Sequence, residues 1–197
     1  MTDLQALYVD RHLVVLEKPA GLLAVPGRGE DKQDCLSARV QAVWPDALIV
    51  HRLDMATSGL MVMARGIEAQ RRLSRAFERR EVHKRYQALV CGEIAGHPDE
   101  RGWSSIELPL AVDWLNRPRS VVCWQTGKPS ITRWRRLDGT EPARHENPSA
   151  GPELTSRVEM EPLTGRTHQL RVHMQALGHP IAGDPLYASP PQQALSP

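Results

Sequence analysis

Polar and charged residues are concentrated at residues 51–59, between two short apolar runs. The runs, residues 47–50 and 60–64, are each long enough for one buried β-strand. Gly59 allows backbone conformations that other residues rarely adopt. A charged loop between two buried strands is a common way to present a reactive side chain on a rigid scaffold. Asp54 is the candidate reactive residue of this loop.

Two interpretations of Asp54 follow from its residue type. Aspartate is favoured in turns, so Asp54 could cap this turn or pair with Arg52 in a loop salt bridge. Alternatively, an ionised carboxylate in such a loop can serve as a nucleophile or a base. Residue type alone does not choose between a structural and a chemical role.

The run His-Arg-Leu-Asp-x-x-Thr-Ser-Gly at residues 51–59 resembles the signature of the RluA-type pseudouridine synthases. The resemblance implies that Asp54 is catalytic and that the target uridine must leave its stacked loop. It also implies that Arg52 fills the vacated space, since a guanidinium stacks on bases and binds phosphate. His51 and Thr57, in the same motif, are expected to contact RNA.

Two more motifs extend the resemblance. Lys-Pro-x-Gly-Leu-x-x-x-Pro-Gly begins at Lys18. It is either a structural loop, which its proline and glycine content favours, or a contact between Lys18 and RNA phosphate. A strand predicted at residues 83–90 carries Lys84 and Tyr86. Tyr86 is either an ordinary half-buried strand aromatic or, as the resemblance implies, the active-site tyrosine, with Lys84 as an RNA contact.

A further motif, Gly-Arg-x-His-Gln-Leu-Arg-x-His, occupies residues 165–173. The resemblance places Arg166 as the family's active-site arginine, and His168 and Arg171 are expected RNA contacts. His168 and His173 are five residues apart and lie on different faces of a helix. Because no third ligand accompanies them, no metal site is predicted.

The same segment contains the signals of a helix. Thr167 is expected to be its N-cap, and Gly178, two residues before a proline, is expected to end it. The spacing gives the helix an apolar face made of Leu170, Met174 and Leu177.

Asp-Trp-Leu-Asn-Arg-Pro at residues 113–118 resembles a segment of the short, single-domain RluA branch. That branch modifies a uridine in the tRNA anticodon stem-loop and one in a hairpin of 23S rRNA, so the resemblance implies these two substrates. Asn116 and Arg117 are expected RNA contacts. The isomerisation needs no redox change or energy source, so no cofactor is expected, and the sequence contains no phosphate-binding glycine motif.

A short helix is predicted at residues 36–43, ended by Trp44-Pro45-Asp46 because the residue before proline disfavours helix. A second helix is predicted from hydrophobic spacing at residues 66–80. The second has one apolar face and one basic face. The basic face is either an ordinary solvated surface or a surface that contacts RNA phosphates. The apolar positions are Ala69, Leu73, Ala76 and Phe77, and the basic positions are Arg71, Arg75 and Arg79.

The remaining segments predict an α+β fold with a mixed, mostly antiparallel sheet of short strands and a few flanking helices. Residues 7–16 predict a hairpin, and residues 138–155 predict a loop. Pro109 predicts either an edge position or a break in the strand expected at residues 105–112. The resemblance implies a single catalytic domain over residues 1–197, with a central RNA-binding cleft and no S4-like module. We also expect the family's C-terminal segment to be missing, because the chain stops soon after Gly-Asp-x-x-Tyr.

Composition sets broad limits on the class of protein. The 197 residues have a formal net charge of +2, which is too small to indicate nucleic-acid binding by itself. The three cysteines form no metal or disulfide pattern. No signal peptide and no apolar run of about 20 residues is present. These features predict a cytoplasmic protein that binds no membrane. RNA binding is implied by the resemblance, and a monomer is expected.

The activity that the resemblance implies is conversion of uridine to pseudouridine in RNA. Arg166 would pair with Asp54, and Tyr86 would pack on the uracil and relay the C5 proton. One alternative is a non-catalytic RNA-binding protein that retains the fold, and another is a synthase with a different RNA site. The presence of all three side chains favours an enzyme, whereas the expected loss of the C-terminal segment favours the non-catalytic alternative.

Overall fold

The computed structural model describes residues 5–137, 143–145 and 153–195. The chain divides into two compact units, Met1–Val82 and His83–Pro197, each with its own sheet. Within the described residues, no helix is long and apolar enough to cross a membrane. The antiparallel strands and few helices confirm the predicted α+β class, whereas the single domain over residues 1–197 stays a prediction.

The first unit is built on a four-stranded antiparallel sheet. Its strands are β1 (Ala6–Val9), β2 (Leu13–Lys18), β3 (Ala47–Ile49) and β4 (Gly59–Arg65). They are arranged in the order β1-β2-β4-β3, which confirms the predicted opening hairpin and the two apolar strands. Alternate residues of the central strands form the core, and the fully buried ones are Val14, Leu16, Met61 and Met63.

Two helices pack on this sheet. Helix α1 (Leu36–Val43) contacts β3 and ends immediately before Trp44-Pro45, where the residue before proline disfavours helix. Helix α2 (Ile67–Glu78) contacts β3 and β4 through its half-buried apolar face. Its opposite face is exposed, so the predicted amphipathic character of this helix is confirmed.

The second unit contains a five-stranded antiparallel sheet centred on one long strand. Its strands are β5 (Tyr86–Cys91), β6 (Ser104–Glu107), β9 (Ile131–Arg136), β10 (Ala143–His145) and β11 (Glu153–Pro162). Strand β11 pairs with β5, β9 and β10, and β6 pairs with β9. The core on one face of this sheet includes Val90, Ile106, Trp134, Val158 and Met160.

A separate hairpin follows β6. Strands β7 (Leu110–Val112) and β8 (Ser120–Val122) pair with each other and are joined by residues 113–119. Pro109 lies between β6 and β7, which confirms the predicted break. The remaining helices are α3 (Gln169–Ala176), which contacts β8, β9 and β11, and the short α4 (Pro190–Gln193).

Two predictions for this unit are wrong in part. Residues 138–155 were expected to be a loop, but residues 143–145 and 153–155 are paired strand. Residues 138–142 and 146–152 lie outside the described part of the chain. On α3, Leu177 is exposed, and the buried residues are Gln169, Val172, His173 and Met174. The buried face of the helix is therefore rotated from the predicted one.

Charged side chains cover the face of the second sheet opposite its core. Glu159 is only 8% exposed and accepts hydrogen bonds from Arg135 at 2.6 and 2.8 Å, with Arg85 at 3.8 Å. Arg85, Arg133 and Arg135 also lie over the ring of Trp103, at 4.6 to 5.9 Å from its centroid. Ion pairs and cation–π contacts thus connect the charged side chains of this face.

We predict that Glu159→Gln lowers the free energy of unfolding by about 2 kcal/mol, because it leaves Arg135 without its carboxylate. Urea unfolding followed by circular dichroism measures this loss. The matched control is Glu107→Gln, an exposed residue on β6, which should change stability by less than about 0.5 kcal/mol. Equal changes in the free energy of unfolding for the two variants would show that the Glu159–Arg135 pair does not stabilise the fold.

Candidate active site

The loop that carries Asp54 is anchored between β3 and β4. Leu53 is buried at 7% exposure, while the neighbouring Asp54 side chain is half-buried. The backbone N–H of Thr57 donates to the Asp54 carbonyl at 3.1 Å and closes a tight turn. The buried leucine and the turn together fix the backbone from which the Asp54 carboxylate projects.

Lys18 fits the structural one of its two interpretations and not the RNA contact. Its side chain is fully buried, and its ammonium donates three hydrogen bonds of 2.7 to 3.1 Å, to the carbonyls of Pro19, Leu22 and Met55. Burial lowers the pKa of Lys18, and the nearby Asp54 carboxylate acts to raise it. An ammonium with all three protons used in this way cannot also bind RNA phosphate. Lys18 instead ties its own loop to the Asp54 loop.

His51 also has a structural task. The backbone N–H of Val62 donates to His51 Nε2 at 3.0 Å, and the imidazole stacks on Phe77 of α2 with centroids 4.6 Å apart. The ring therefore connects the loop to β4 and to the helix. The contact between His51 and RNA stays a prediction, as does that of the half-buried Thr57.

Arg52 differs from its neighbours because its side chain is exposed. Among the described residues it forms no ion pair, so the alternative of an Arg52–Asp54 loop salt bridge is not found. The predicted basic face of α2, also in this unit, is exposed as well, and its members are Arg71, Arg75 and Arg79.

Tyr86 and Arg166 both belong to the second unit. Tyr86 begins β5, pairs in register with Met160 of β11 and packs against the apolar core. Strand β11 ends at Pro162, four residues before Arg166. Lys84 lies beside the same segment, because a Cβ added to Gly165 would be 4.0 Å from the Lys84 ammonium. The strand pair thus brings the predicted tyrosine, lysine and arginine segments to one end of the sheet.

Arg166 is held mainly through its backbone. Its N–H donates to Gln169 Oε1 at 3.0 Å, and its Nη2 lies 3.5 Å from the Pro129 carbonyl. Its Nε is buried and has no hydrogen-bond partner among the described residues. A buried guanidinium N–H without a partner is unusual in folded proteins.

Gln169 is a functional residue that the sequence reasoning missed. Its amide is buried and makes four hydrogen bonds, donating to Ile131 O and Thr132 Oγ1 and accepting from Thr164 Oγ1 and the Arg166 N–H. The signal was present, because Gln169, Val172 and His173 share one helical face by spacing. A glutamine among buried positions indicates a polar network.

Arg171 is a correction to the predicted site. Its guanidinium forms a bidentate pair with Asp184, both bonds being 2.7 Å, and the Asp184 side chain is 4% exposed. Burial acts to raise the pKa of Asp184, but the hydrogen bonds from Arg171 and from the Leu186 N–H outweigh it and the pKa is lowered. The predicted contact of Arg171 with RNA is therefore replaced by a structural ion pair.

Tyr187 joins three parts of this unit. Its hydroxyl accepts from the Ser120 N–H at 2.8 Å and lies 2.8 Å from His168 Nδ1, and burial raises its pKa. His168 has a left-handed backbone, with φ of 54°, and is the residue that precedes helix α3. The prediction that Thr167 is the N-cap is therefore wrong, and whether His168 contacts RNA stays a prediction.

Asn116 and Arg117 lie in the loop between β7 and β8, and both are exposed. The Asn116 amide donates to the Asp113 carboxylate at 2.9 Å. The Arg117 guanidinium lies 3.4 Å from the ring centroid of Trp114. In the described part of the chain, no cluster of three His, Cys, Asp or Glu residues is arranged to hold a metal ion.

Residues 12–176 match the RNA pseudouridylate synthase family. Since this match covers most of the 197 residues, the chain belongs to that family, which confirms the family inferred from its motifs. Members of this class are isomerases that act on RNA.

The chain is also similar to named relatives over nearly its whole length. It is 47% identical over 191 residues to the dual-specificity RNA pseudouridine synthase RluA of Escherichia coli K12, covering 97% of this chain and 80% of that one. The RluA of Yersinia pestis is 46% identical over 190 residues, covering 96% of this chain and 84% of that one.

A solved structure shows the same fold. Human RNA pseudouridylate synthase domain containing 1 superposes with a TM-score of 0.75 at 28% identity, over 99% of this chain and 74% of that one.

We predict that Lys18→Met lowers the free energy of unfolding by about 3 kcal/mol, since the three hydrogen bonds from the buried ammonium to backbone carbonyls are lost. Urea unfolding measures the change. Lys32→Met, at an exposed lysine of the same unit, serves as the matched control and should be nearly neutral. If the Lys18 variant were equally neutral, the bonds of its ammonium would contribute nothing to stability.

A pH dependence is expected from His173. The side chain is fully buried between Thr132 Oγ1 at 2.9 Å and the Leu108 carbonyl at 3.3 Å, and burial lowers its pKa. Unfolded histidine titrates near pH ~6.5. Below that pH the unfolded chain binds a proton that the folded His173 does not. The free energy of unfolding should therefore fall by up to about 1.4 kcal/mol per pH unit.

Thermal and urea unfolding between pH 7.5 and 5.5 tests this dependence. His173→Gln, which keeps a donor and an acceptor but does not titrate, should flatten the slope. His97→Gln, at an exposed histidine, should leave it unchanged. The assignment to His173 is wrong if its variant retains the wild-type slope.

Proposed function

We propose that this protein converts specific uridines of structured RNA to pseudouridine, namely one in the tRNA anticodon stem-loop and one in a hairpin of 23S rRNA. The similarity to dual-specificity synthases over 97% of the chain is the observation that carries this proposal. The segment Asp-Trp-Leu-Asn-Arg-Pro supports the choice of substrates. We further propose that the protein acts as a monomer in the cytoplasm.

In the proposed reaction, the N1–C1′ bond of the uridine breaks and a C5–C1′ bond forms. The C5 proton is lost, and N1 gains one, so atoms balance without a cofactor. Asp54 acts as the nucleophile or base, which requires an ionised carboxylate. Tyr86 packs on the uracil and relays the C5 proton, and Arg166 supplies a positive charge to Asp54.

RNA binding is proposed to come from the exposed arginines of the first unit. Arg52 enters the space left by the flipped uridine, since its guanidinium is exposed and can stack on bases. The basic face of α2 contacts phosphates, because it presents cations to solvent next to the Asp54 segment in sequence. This face consists of Arg71, Arg75 and Arg79.

We predict that Asp54→Asn reduces kcat by at least about 10³-fold, because the amide cannot act as a nucleophile or base. Tritium release from 5-tritiated uridine in an unmodified anticodon stem-loop and in the 23S hairpin measures turnover. RNA affinity, from fluorescence anisotropy, should change by less than about threefold.

Asp31→Asn, at an exposed carboxylate of the same unit, is the matched control and should retain full turnover. Absence of tritium release by the wild-type protein, with RNA binding intact, would favour the non-catalytic alternative. Release from other RNAs only would overturn the proposed substrates.

A further inference from the structure

The tip of the β7–β8 hairpin exposes large apolar side chains that contribute nothing to a core. Trp114 is 72% exposed and Leu115 is 95% exposed. We call Trp114, Leu115 and Arg117 the tip platform. Exposed aromatic residues at the end of a hairpin indicate an interaction surface, since burial elsewhere in the fold would have stabilised the protein.

The indole of Trp114 is held in place before any ligand binds. The Arg117 guanidinium lies 3.4 Å from its ring centroid. The loop beneath is fixed by Asp113, whose carboxylate accepts from the Asn116 N–H at 3.1 Å and from the Asn116 amide at 2.9 Å. The Asp113 N–H also donates to the Arg119 carbonyl at 2.9 Å. The platform therefore presents a flat aromatic surface that loses little conformational entropy when a ligand binds.

The charge of this hairpin indicates an anionic partner. Arg117, Arg119 and Lys128 outnumber Asp113, whose carboxylate is already occupied by Asn116. Arg119 Nε is buried without a hydrogen-bond partner in the described part of the chain. An aromatic face stacked on a guanidinium group, here Trp114 on Arg117, is the chemistry that binds a nucleobase together with its phosphate.

The hairpin is mounted on the elements that hold Arg166. Leu110 and Lys128 exchange backbone hydrogen bonds of 2.9 and 3.0 Å at its base, and the next carbonyl, of Pro129, lies 3.5 Å from the Arg166 guanidinium. The Ser120 N–H at the other strand donates to Tyr187. The hairpin and Arg166 are thus held by the same framework of the second unit.

We propose that the tip platform stacks an unpaired nucleobase of the RNA substrate, flanking the target uridine, on the open face of Trp114. This inference rests on the proposed function and adds a binding site to it. Arg117 supports the indole from its other face and adds positive charge. Because stacking accepts any base, the platform contributes affinity and placement of the RNA loop, and not base identity.

The test uses the full chain with fluorescein-labelled, unmodified anticodon stem-loop and 23S hairpin transcripts. Trp114→Ala should raise Kd and KM roughly tenfold while kcat stays within about twofold. Trp114→Phe should recover most of the affinity. The salt dependence of Kd should be unchanged in Trp114→Ala, whereas Arg117→Gln should lower its slope by about one.

Trp124→Ala is the matched control, because Trp124 is 71% exposed at the opposite end of the hairpin. It should leave Kd unchanged.

The platform would be overturned if Trp114→Ala left Kd and KM unaltered, or if both tryptophan variants lost the same amount of RNA affinity. A Trp114→Phe variant that bound RNA no better than Trp114→Ala would also overturn it. If RNA binding depends on Trp114 but the wild-type protein releases no tritium, the proposed function is overturned and the platform is not. Wild-type protein that bound neither RNA would overturn both.

Discussion

A polar group that is removed from water must find a partner, and this constraint holds both functional segments in place. In the first unit the buried Lys18 ammonium joins its own loop to that of Asp54 through three carbonyls. In the second unit the buried Gln169 amide joins the Arg166 backbone to strand β9. Breaking either set would leave several buried groups unpaired, so these loops cannot relax locally without a large cost. Both segments are thereby pre-organised.

The arginines divide into two classes with different tasks. Arg135 and Arg171 are paired with buried carboxylates, Glu159 and Asp184, and their charge is used up within the fold. Arg52, together with the basic face of α2, is exposed and remains available to phosphates. A formal net charge of only +2 therefore conceals an exposed cluster of cations on one helix face. The distribution of charge is as informative as its sum.

Patterns of neighbouring residues predicted most helices and strands correctly but did not predict which distant residues pair with them. The helix 36–43 ended where Trp44-Pro45 required it, and the strand break fell at Pro109, because proline restricts the backbone next to it. The N-cap at Thr167 failed, since the left-handed His168 starts α3 and is positioned by Tyr187, 19 residues away. The strand at residues 143–145 was missed because the segment is polar and has no apolar alternation. It is a strand because it pairs with β11.

The sequence alone determined the family, through its motifs, and the α+β class, through its periodicity, because both are read from residues close together in the chain. The candidate catalytic residues follow from the motif resemblance and stay a prediction. Tertiary structure decided which charged residues are free. Lys18, one of whose two interpretations was an RNA contact, is fully buried and reaches the distant Met55 carbonyl as well as its own loop. Arg171, also expected to contact RNA, is paired with Asp184, 13 residues away. Trp114 shows the opposite case, an aromatic left in water on a rigid loop. Burial depends on which distant segments pack together, and no pattern of neighbouring residues specifies that.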